Sequence, residues 1–353
     1  MPIARVHRIS ASAPDDVSGI EAAIAAGTLS PAGILAIFGK TEGNGCVNDF
    51  SRGFAVQSLT HMLRAHLGAA ADAVCLVMSG GTEGGMAPHW VVFERQEGEG
   101  APGPALAIGR AHTAPLRPEE MGRPAQAAQV AQAVRAAMAS AGIHRADDVH
   151  FVQVKCPLLT AARVAEAAAR GETCATVDTL KSMGLSRGAS ALGIGVALGE
   201  IAAEAVTEAA IGTDLSLWSA RASCSSGIEL MGHEVVVLGM SADWSGPLAI
   251  DHGVMADAID LAPVAAAMGR LGTGPGDGLI VLGKAEASRC GTIRGRRHTM
   301  LDDSDISSTR HARAFVAGAL AGLVGHTEIY VSGGAEHQGP DGGGPVALIA
   351  ARG

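Results

Sequence analysis

Three apolar segments of the chain each end in a lysine: ILAIFGK at Lys40, HFVQVK at Lys155 and LIVLGK at Lys284. Three later segments each carry Ser-(Gly/Ser)-Gly-x-Glu: SGGTE from Ser79, SSGIE from Ser225 and SGGAE from Ser332. Between each lysine and its serine lies a helical pattern opening with an arginine: SRGFAVQSL at Arg52, SRGASALGI at Arg187 and ARAFVAGAL at Arg313. A short strand follows each serine motif (HWVVFE, HEVVVLGM, PVALIA). A further helix, such as QAAQVAQAVRAAMASAG, precedes each lysine strand. A period on this scale dictates the architecture, because each repeat is one structural unit packed against its neighbours. The predicted fold is α+β, with three similar units over 1–99, 105–244 and 249–353 set around a pseudo-threefold axis. The Lys-to-Ser spacings of 39, 70 and 48 place the length differences in loops.

A duplicated scaffold without chemistry would repeat apolar core positions. Here Lys, Arg and Ser recur at the ends of elements, where sites are built. Brought to one axis, three lysines, three arginines and three serines would line a single site. Serine hydroxyls and the adjacent backbone N–H groups can donate to substrate oxygens, and the following glycines allow close approach. Arginines at helix starts add positive charge, favouring a small, flat, threefold anion. Crowded cations depress lysine pKa values, and a neutral lysine can serve as base to a serine nucleophile.

Other classes fit poorly. The net charge is −9, from 26 Lys+Arg and 35 Asp+Glu, and only three Trp, one Tyr and six Phe are present. Neither a phosphate-binding basic stripe nor a base-stacking platform is expected. The N-terminal MPIARVHRISASAPDD holds no apolar signal core, and no apolar run reaches membrane-spanning length. Six cysteines (46, 75, 156, 174, 224 and 290) stand singly without CxxC, which reads as reduced thiols of a cytoplasmic protein. A charged fraction of only 17% suggests surface buried in a homo-oligomer.

GKTEGNGCVNDFSRGFA, MSGGTEG, VKCPLLT, CSSGIEL and SGGAEHQGPDGGGP resemble the ring-opening amidohydrolases, the family of cyanuric acid hydrolase and barbiturase. The resemblance spans essentially the whole chain. It implies three α+β units whose strands make a central β-barrel with helices outside, and a homotetramer. It also implies metal-free hydrolytic ring opening of cyanuric acid to carboxybiuret and then biuret and carbon dioxide, with barbituric acid as the alternative substrate. It places the reacting pair in the second unit, at Lys155 and Ser225. The residues alone leave Ser226 open as nucleophile, but alignment of the repeats sets Ser225 opposite Ser79 and Ser332. Ser226 then matches Gly80 and Gly333, the candidate N–H donors. Arg52, Arg187 and Arg313 join them in binding substrate, and Lys40 and Lys284 support. The resemblance further implies a structural Mg²⁺ or Ca²⁺ held by oxygens of Glu286, Ala335, Gln338, Gly339, Pro340 and Gly343, a set suited to hard cations.

Lesser candidates are Cys224 as a nucleophile with His233, Glu42 or Glu83 as acids or bases, and the basic run Arg294–His298. Packing, a Glu42 that holds Lys40 or caps a loop, and a solvated loop for the basic run explain these more simply. A non-catalytic trimeric-type binding protein is the remaining alternative. Three full Lys/Arg/Ser sets in one chain argue against it.

Overall fold

The computed structural model describes residues 1–99 and 103–352. The first unit runs β1 (Pro2–Ser10), α1 (Ser18–Ala25), β2 (Ile34–Lys40), α2 (Phe50–Leu67), β3 (Cys75–Ser79) and β4 (His89–Glu97). The second runs β5 (Ala105–His112), α3 (Pro124–Ser140), β6 (Val149–Pro157), α4 (Ala161–Ala169), α5 (Thr179–Ala197), β7 (Ala222–Gly227) and β8 (Glu234–Ser241). The third runs β9 (Leu248–Met255), α6 (Ala262–Leu271), β10 (Ile280–Ala285), β11 (Thr292–Ile293), β12 (Arg296–Arg297), α7 (Ser308–Val324), β13 (Tyr330–Gly333) and β14 (Gly344–Ala351). The small β11/β12 hairpin carries the basic run at the surface, where Arg294 meets Asp257 at 2.7 Å.

Each unit folds one four-stranded sheet in the same order: β1-β4-β2-β3, β5-β8-β6-β7 and β9-β14-β10-β13. The lysine strand pairs in parallel with the serine strand on one side and antiparallel with the unit's last strand on the other. The register sets Lys40 beside Ser79, Lys155 beside Ser225 and Lys284 beside Ser332. Neighbours in register point to the same face, so each lysine and serine side chain emerges together. The extra length of the second unit lies in α4 and in the segment between α5 and β7.

The lysine strands are buried on both faces, which explains their nearly unbroken apolar runs. The outward face of the first sheet packs Ile37, Leu76 and Met78 against Leu59 and Leu63 of α2. The inward faces share one core around the axis, including Phe38, Val77, Phe151, Leu282 and Tyr330. Phe38 and Tyr330 stand two residues before Lys40 and Ser332, on the same strand faces. Their rings meet at 5.5 Å across the junction of first and third units. In the second unit this layer is polar: Ser223 donates to Gln153 at 2.7 Å.

The expected closed barrel is corrected. Among the described residues the strands form three separate sheets around the axis, without a hydrogen-bonded ladder joining one to the next. The reason lies at the free edges of β3, β7 and β13. The Ser79 carbonyl faces β2 and accepts from Thr41 N–H, so the preceding Met78 carbonyl faces outward from the sheet. That carbonyl accepts the Lys155 ammonium at 2.8 Å. Lys284 reaches the Cys224 carbonyl at 2.8 Å, and Lys40 reaches the Val331 carbonyl at 2.6 Å. Each lysine thus satisfies the edge carbonyl one residue before the serine of a neighbouring unit. A side-chain amine replaces the ladder that would have closed the barrel.

Candidate active site

The three Ser/Lys rows converge on a small cavity lined by Arg52, Arg187, Arg313, Ser79, Ser225, Ser226 and Ser332, with Gly45, Gly80 and Gly333. All nine repeated Lys, Arg and Ser residues except Arg187 are buried to 6% exposure or less, and the Arg187 side chain is 12% exposed. A larger outer cavity shares Gly45, Met183, Arg187 and Arg313 with the inner one, which gives the site its mouth.

The arginines do not all open helices. Arg52 is in the first turn of α2, but Arg187 and Arg313 lie inside α5 and α7. Those helices begin earlier, after Asp178, whose carboxylate accepts from the Lys181 N–H, and after Ser307. Their charge in the cavity therefore comes from the guanidinium groups and not from helix termini.

Glutamates hold two of the arginines across unit boundaries. Glu83, four residues after Ser79, accepts from Arg313 Nε at 3.0 Å and from Arg310 at 3.0 Å. Glu336, four residues after Ser332, accepts from Arg187 at 2.7 and 2.8 Å. The glycines of the motif permit this. Gly81 and Gly334 are left-handed, with φ of 84° and 79°. A Cβ on Gly334 would stand 2.4 Å from the Arg187 guanidinium. In the sequence these clamps leave one trace, a glutamate at the same offset in all three units. Glu42 is exposed and does not hold Lys40, contrary to expectation; the Lys40 amine contacts Ser79 and Val331.

The second unit departs from this pattern. Gly227 continues the extended strand β7 and does not turn left-handed. Its glutamate, Glu229, lies 2.8 Å from the Lys155 ammonium, while Arg52 donates to the carbonyls of Ser226 at 2.9 Å and Cys46 at 2.6 Å.

The serines differ as well. Lys40 donates to Ser79 at 3.3 Å and Lys284 to Ser332 at 3.2 Å. Ser225 shares a hydrogen bond of 2.9 Å with Ser332, and Lys155 stands beside it in register without bonding it. Ser226 receives Arg187 at 3.2 Å on its hydroxyl. Burial drives all three lysines below their ordinary value. For Lys40 the Arg313 charge adds to burial and the depression is deep. Lys284 falls to about 7, with Arg187 adding to burial. For Lys155 burial is opposed by Glu229.

Cys224 points away from the site into the core, and burial raises its thiol pKa well above the ordinary range. His233 bonds Thr113 and Gln126, not a cysteine.

At the proposed cation loop, the half-buried Glu286 carboxylate accepts from Thr309 at 3.1 Å and Ala287 N–H at 2.8 Å. Burial and then the Glu336 charge raise its pKa. Among the described residues no basic side chain pairs with it. Glu286, Ala335, Gly339 and Pro340 line one cavity; Gln338 and Gly343 do not. The Gln338 side-chain oxygen is committed to Cys224 N–H at 2.6 Å, leaving only its backbone carbonyl available. A half-buried carboxylate without an ion-pair partner, beside backbone carbonyls, suits an oxygen-bound Mg²⁺ or Ca²⁺. A separate group, His150, Asp251 and His252, joins the second and third units. Its imidazoles bond each other at 2.9 Å and Arg270 grips Asp251 at 2.6 and 3.0 Å, so hydrogen bonds account for it.

A family model described as amidohydrolase ring-opening protein matches residues 5–351. The chain belongs to this family. A cyanuric acid amidohydrolase of Azorhizobium caulinodans is 75% identical over all of this chain and 99% of the relative. One from a Bradyrhizobium species is 59% identical over 99% and 98% of the two chains. The crystal structure of the cyanuric acid hydrolase of A. caulinodans superposes with a TM-score of 0.98, covering 100% of this chain and 99% of that one. A second solved cyanuric acid hydrolase, 49% identical, superposes with a TM-score of 0.96 over 99% and 100% of the chains.

Proposed function

We propose that this chain opens the ring of cyanuric acid by hydrolysis, giving carboxybiuret, which loses carbon dioxide to yield biuret. The observation that carries this reading is a cavity lined by three Ser/Arg sets in pseudo-threefold order. Cyanuric acid presents three equivalent carbonyls at matching angles. The name borne by relatives of up to 75% identity supports the same substrate.

Ser225 is the nucleophile and Lys155 its base. The two are register neighbours on one face of the second unit's sheet. Neutral Lys155 takes the Ser225 proton as Oγ bonds to a ring carbonyl carbon. It returns that proton to the ring nitrogen as the C–N bond breaks. Water then cleaves the acyl-serine. Backbone N–H groups at Ser226, Gly80 and Gly333 and the arginines face the carbonyl oxygens, where each donor to a developing oxyanion contributes about 3–4 kcal/mol. Ser79 and Ser332 hold the other two carbonyls, with Lys40 and Lys284 behind them. Glu286 and carbonyls of the 335–343 loop would hold a structural Mg²⁺ or Ca²⁺, which would stiffen the loop carrying Glu336, the clamp of Arg187. The three units act as one enzyme in a cytoplasmic homotetramer.

The test is biuret release by the purified protein with cyanuric acid and barbituric acid side by side. Turnover of cyanuric acid supports the reading; turnover of barbituric acid alone, or of neither, refutes it.

A further inference from the structure

Glu229 is the one member of the three motif glutamates that faces a lysine. By the cyclic pattern, the glutamate of the first unit clamps the arginine of the third, and that of the third clamps the arginine of the second. The glutamate of the second unit would therefore clamp Arg52. It stands instead 2.8 Å from Lys155, yet neither of its buried oxygens accepts a well-directed hydrogen bond. Arg52 Nε is likewise buried without a hydrogen bond, 3.9 Å from Asp49. A carboxylate and a guanidinium nitrogen that both lack a directed hydrogen bond mark an arrangement with a second state available to it. The cause is local: the extended Gly227 replaces the left-handed turn of Gly81 and Gly334, and so re-aims the glutamate.

We infer that Glu229 is a positioning residue that gates Lys155, holding it as an ammonium when turned toward it and releasing it as a neutral base when turned to Arg52. This rests on the reading of Lys155 as base. In the resting arrangement the lysine donates to the Met78 carbonyl and faces Glu229, which keeps it from Ser225. On release its surplus proton passes to water through the open cavity. The neutral amine then accepts the Ser225 proton as the Oγ–C bond forms. The charged and titratable groups facing Lys155 are Glu229 from the segment after β7, Arg52 from α2, Glu234 from β8 and the adjacent Cys156. Arg163 of α4 faces Glu229 from the far side. Burial raises the Glu229 pKa, but Lys155 and Arg52 outweigh it, so Glu229 is anionic at neutral pH. Its charge favours the protonated lysine, and its removal makes neutral Lys155 easier to reach.

The experiment is the pH dependence of kcat for Glu229→Gln and Glu229→Ala in the full-length enzyme with cyanuric acid. Glu83→Gln, which loses an arginine clamp in the first unit, and Lys155→Ala serve as comparisons. The acid limb of both Glu229 variants is expected to move to lower pH by about one to three units, the usual effect of one adjacent charge. Glu83→Gln should raise KM and leave the limb in place. An unmoved limb in active Glu229 variants overturns the inference, as does loss of turnover at every pH in both. If Lys155→Ala keeps its turnover, the reading of Lys155 as base fails instead, whatever the Glu229 variants show.

Discussion

Replacing the three serines one at a time by alanine should give three different outcomes, although the repeat sets them in equivalent places. Ser225→Ala removes the attacking oxygen, for which no neighbour substitutes, and kcat should fall by about 10⁴ or more. Ser332→Ala removes a hydroxyl that bonds Ser225, at 2.9 Å, and breaks the chain from Lys284 through Ser332 to the nucleophile. An attacking atom displaced by a fraction of an ångström loses rate steeply, and roughly a hundredfold in kcat is expected. Among the described residues the Ser79 hydroxyl bonds only Lys40, at 3.3 Å, and Lys40 keeps its shorter bond of 2.6 Å to the Val331 carbonyl after the change. Losing one neutral hydrogen bond costs about 1 kcal/mol, or roughly fivefold, mostly in KM. The assay is steady-state biuret release by chromatography, with the thermal midpoint of each variant showing that it is folded. A Ser79→Ala effect as large as that of Ser225→Ala would refute the assignment of chemistry to the second unit. Retained turnover in Ser225→Ala would refute the nucleophile.

Gly334→Ala should raise KM by about tenfold, because the new Cβ meets the Arg187 guanidinium at 2.4 Å in a left-handed backbone. Gly84→Ala, equally left-handed but with nothing within 4 Å, should cost only about 1–2 kcal/mol of stability and leave KM alone. Chelator treatment should lower the thermal midpoint, restored by Mg²⁺ or Ca²⁺, and a midpoint insensitive to both would argue against the cation loop. Lys40→Met strands the Val331 carbonyl and should cost about 1–3 kcal/mol. The folded Lys40 sheds its proton well below 10.5, so the unfolded chain binds one proton more between the two values and wild-type stability rises with pH there. Lys40→Met should remove about 1.4 kcal/mol per pH unit of that slope, measured by urea melts across the window.

The strands ending in Lys40, Lys155 and Lys284 were readable because burial on both faces demands unbroken apolar runs. The strand ending at Ser225 was harder to read. ASCSSG is small and polar, since Ser223 fills its interior layer by bonding Gln153. The pairing of lysine with serine followed from the repeat alone. What the repeat could not convey was direction across units. The lysine of one unit satisfies the edge carbonyl of another, and the glutamate of one clamps the arginine of another. Such contacts join residues 60 or more positions apart, and no local pattern encodes them. The barrel expectation failed for the same reason, because a lysine amine and a strand edge look alike as closures until the carbonyl's direction is known.

This closure also explains why all three lysines persist when one proton transfer needs only one. Lys40 and Lys284 occupy the same structural post as Lys155, each satisfying an edge carbonyl at 2.6 or 2.8 Å. Losing either would open a junction between sheets whether or not it took part in chemistry. A threefold substrate needs three binding sets, and a covalent reaction needs one attacking atom. Equivalent sets would leave which carbonyl is attacked undecided. The break occurs where the strand stays extended through Gly227 and turns one glutamate from an arginine to a lysine. A change of one backbone turn leaves the binding frame intact and sets one lysine apart from the other two. On the proposed mechanism the symmetric residues serve recognition, and the departure from symmetry serves the chemistry.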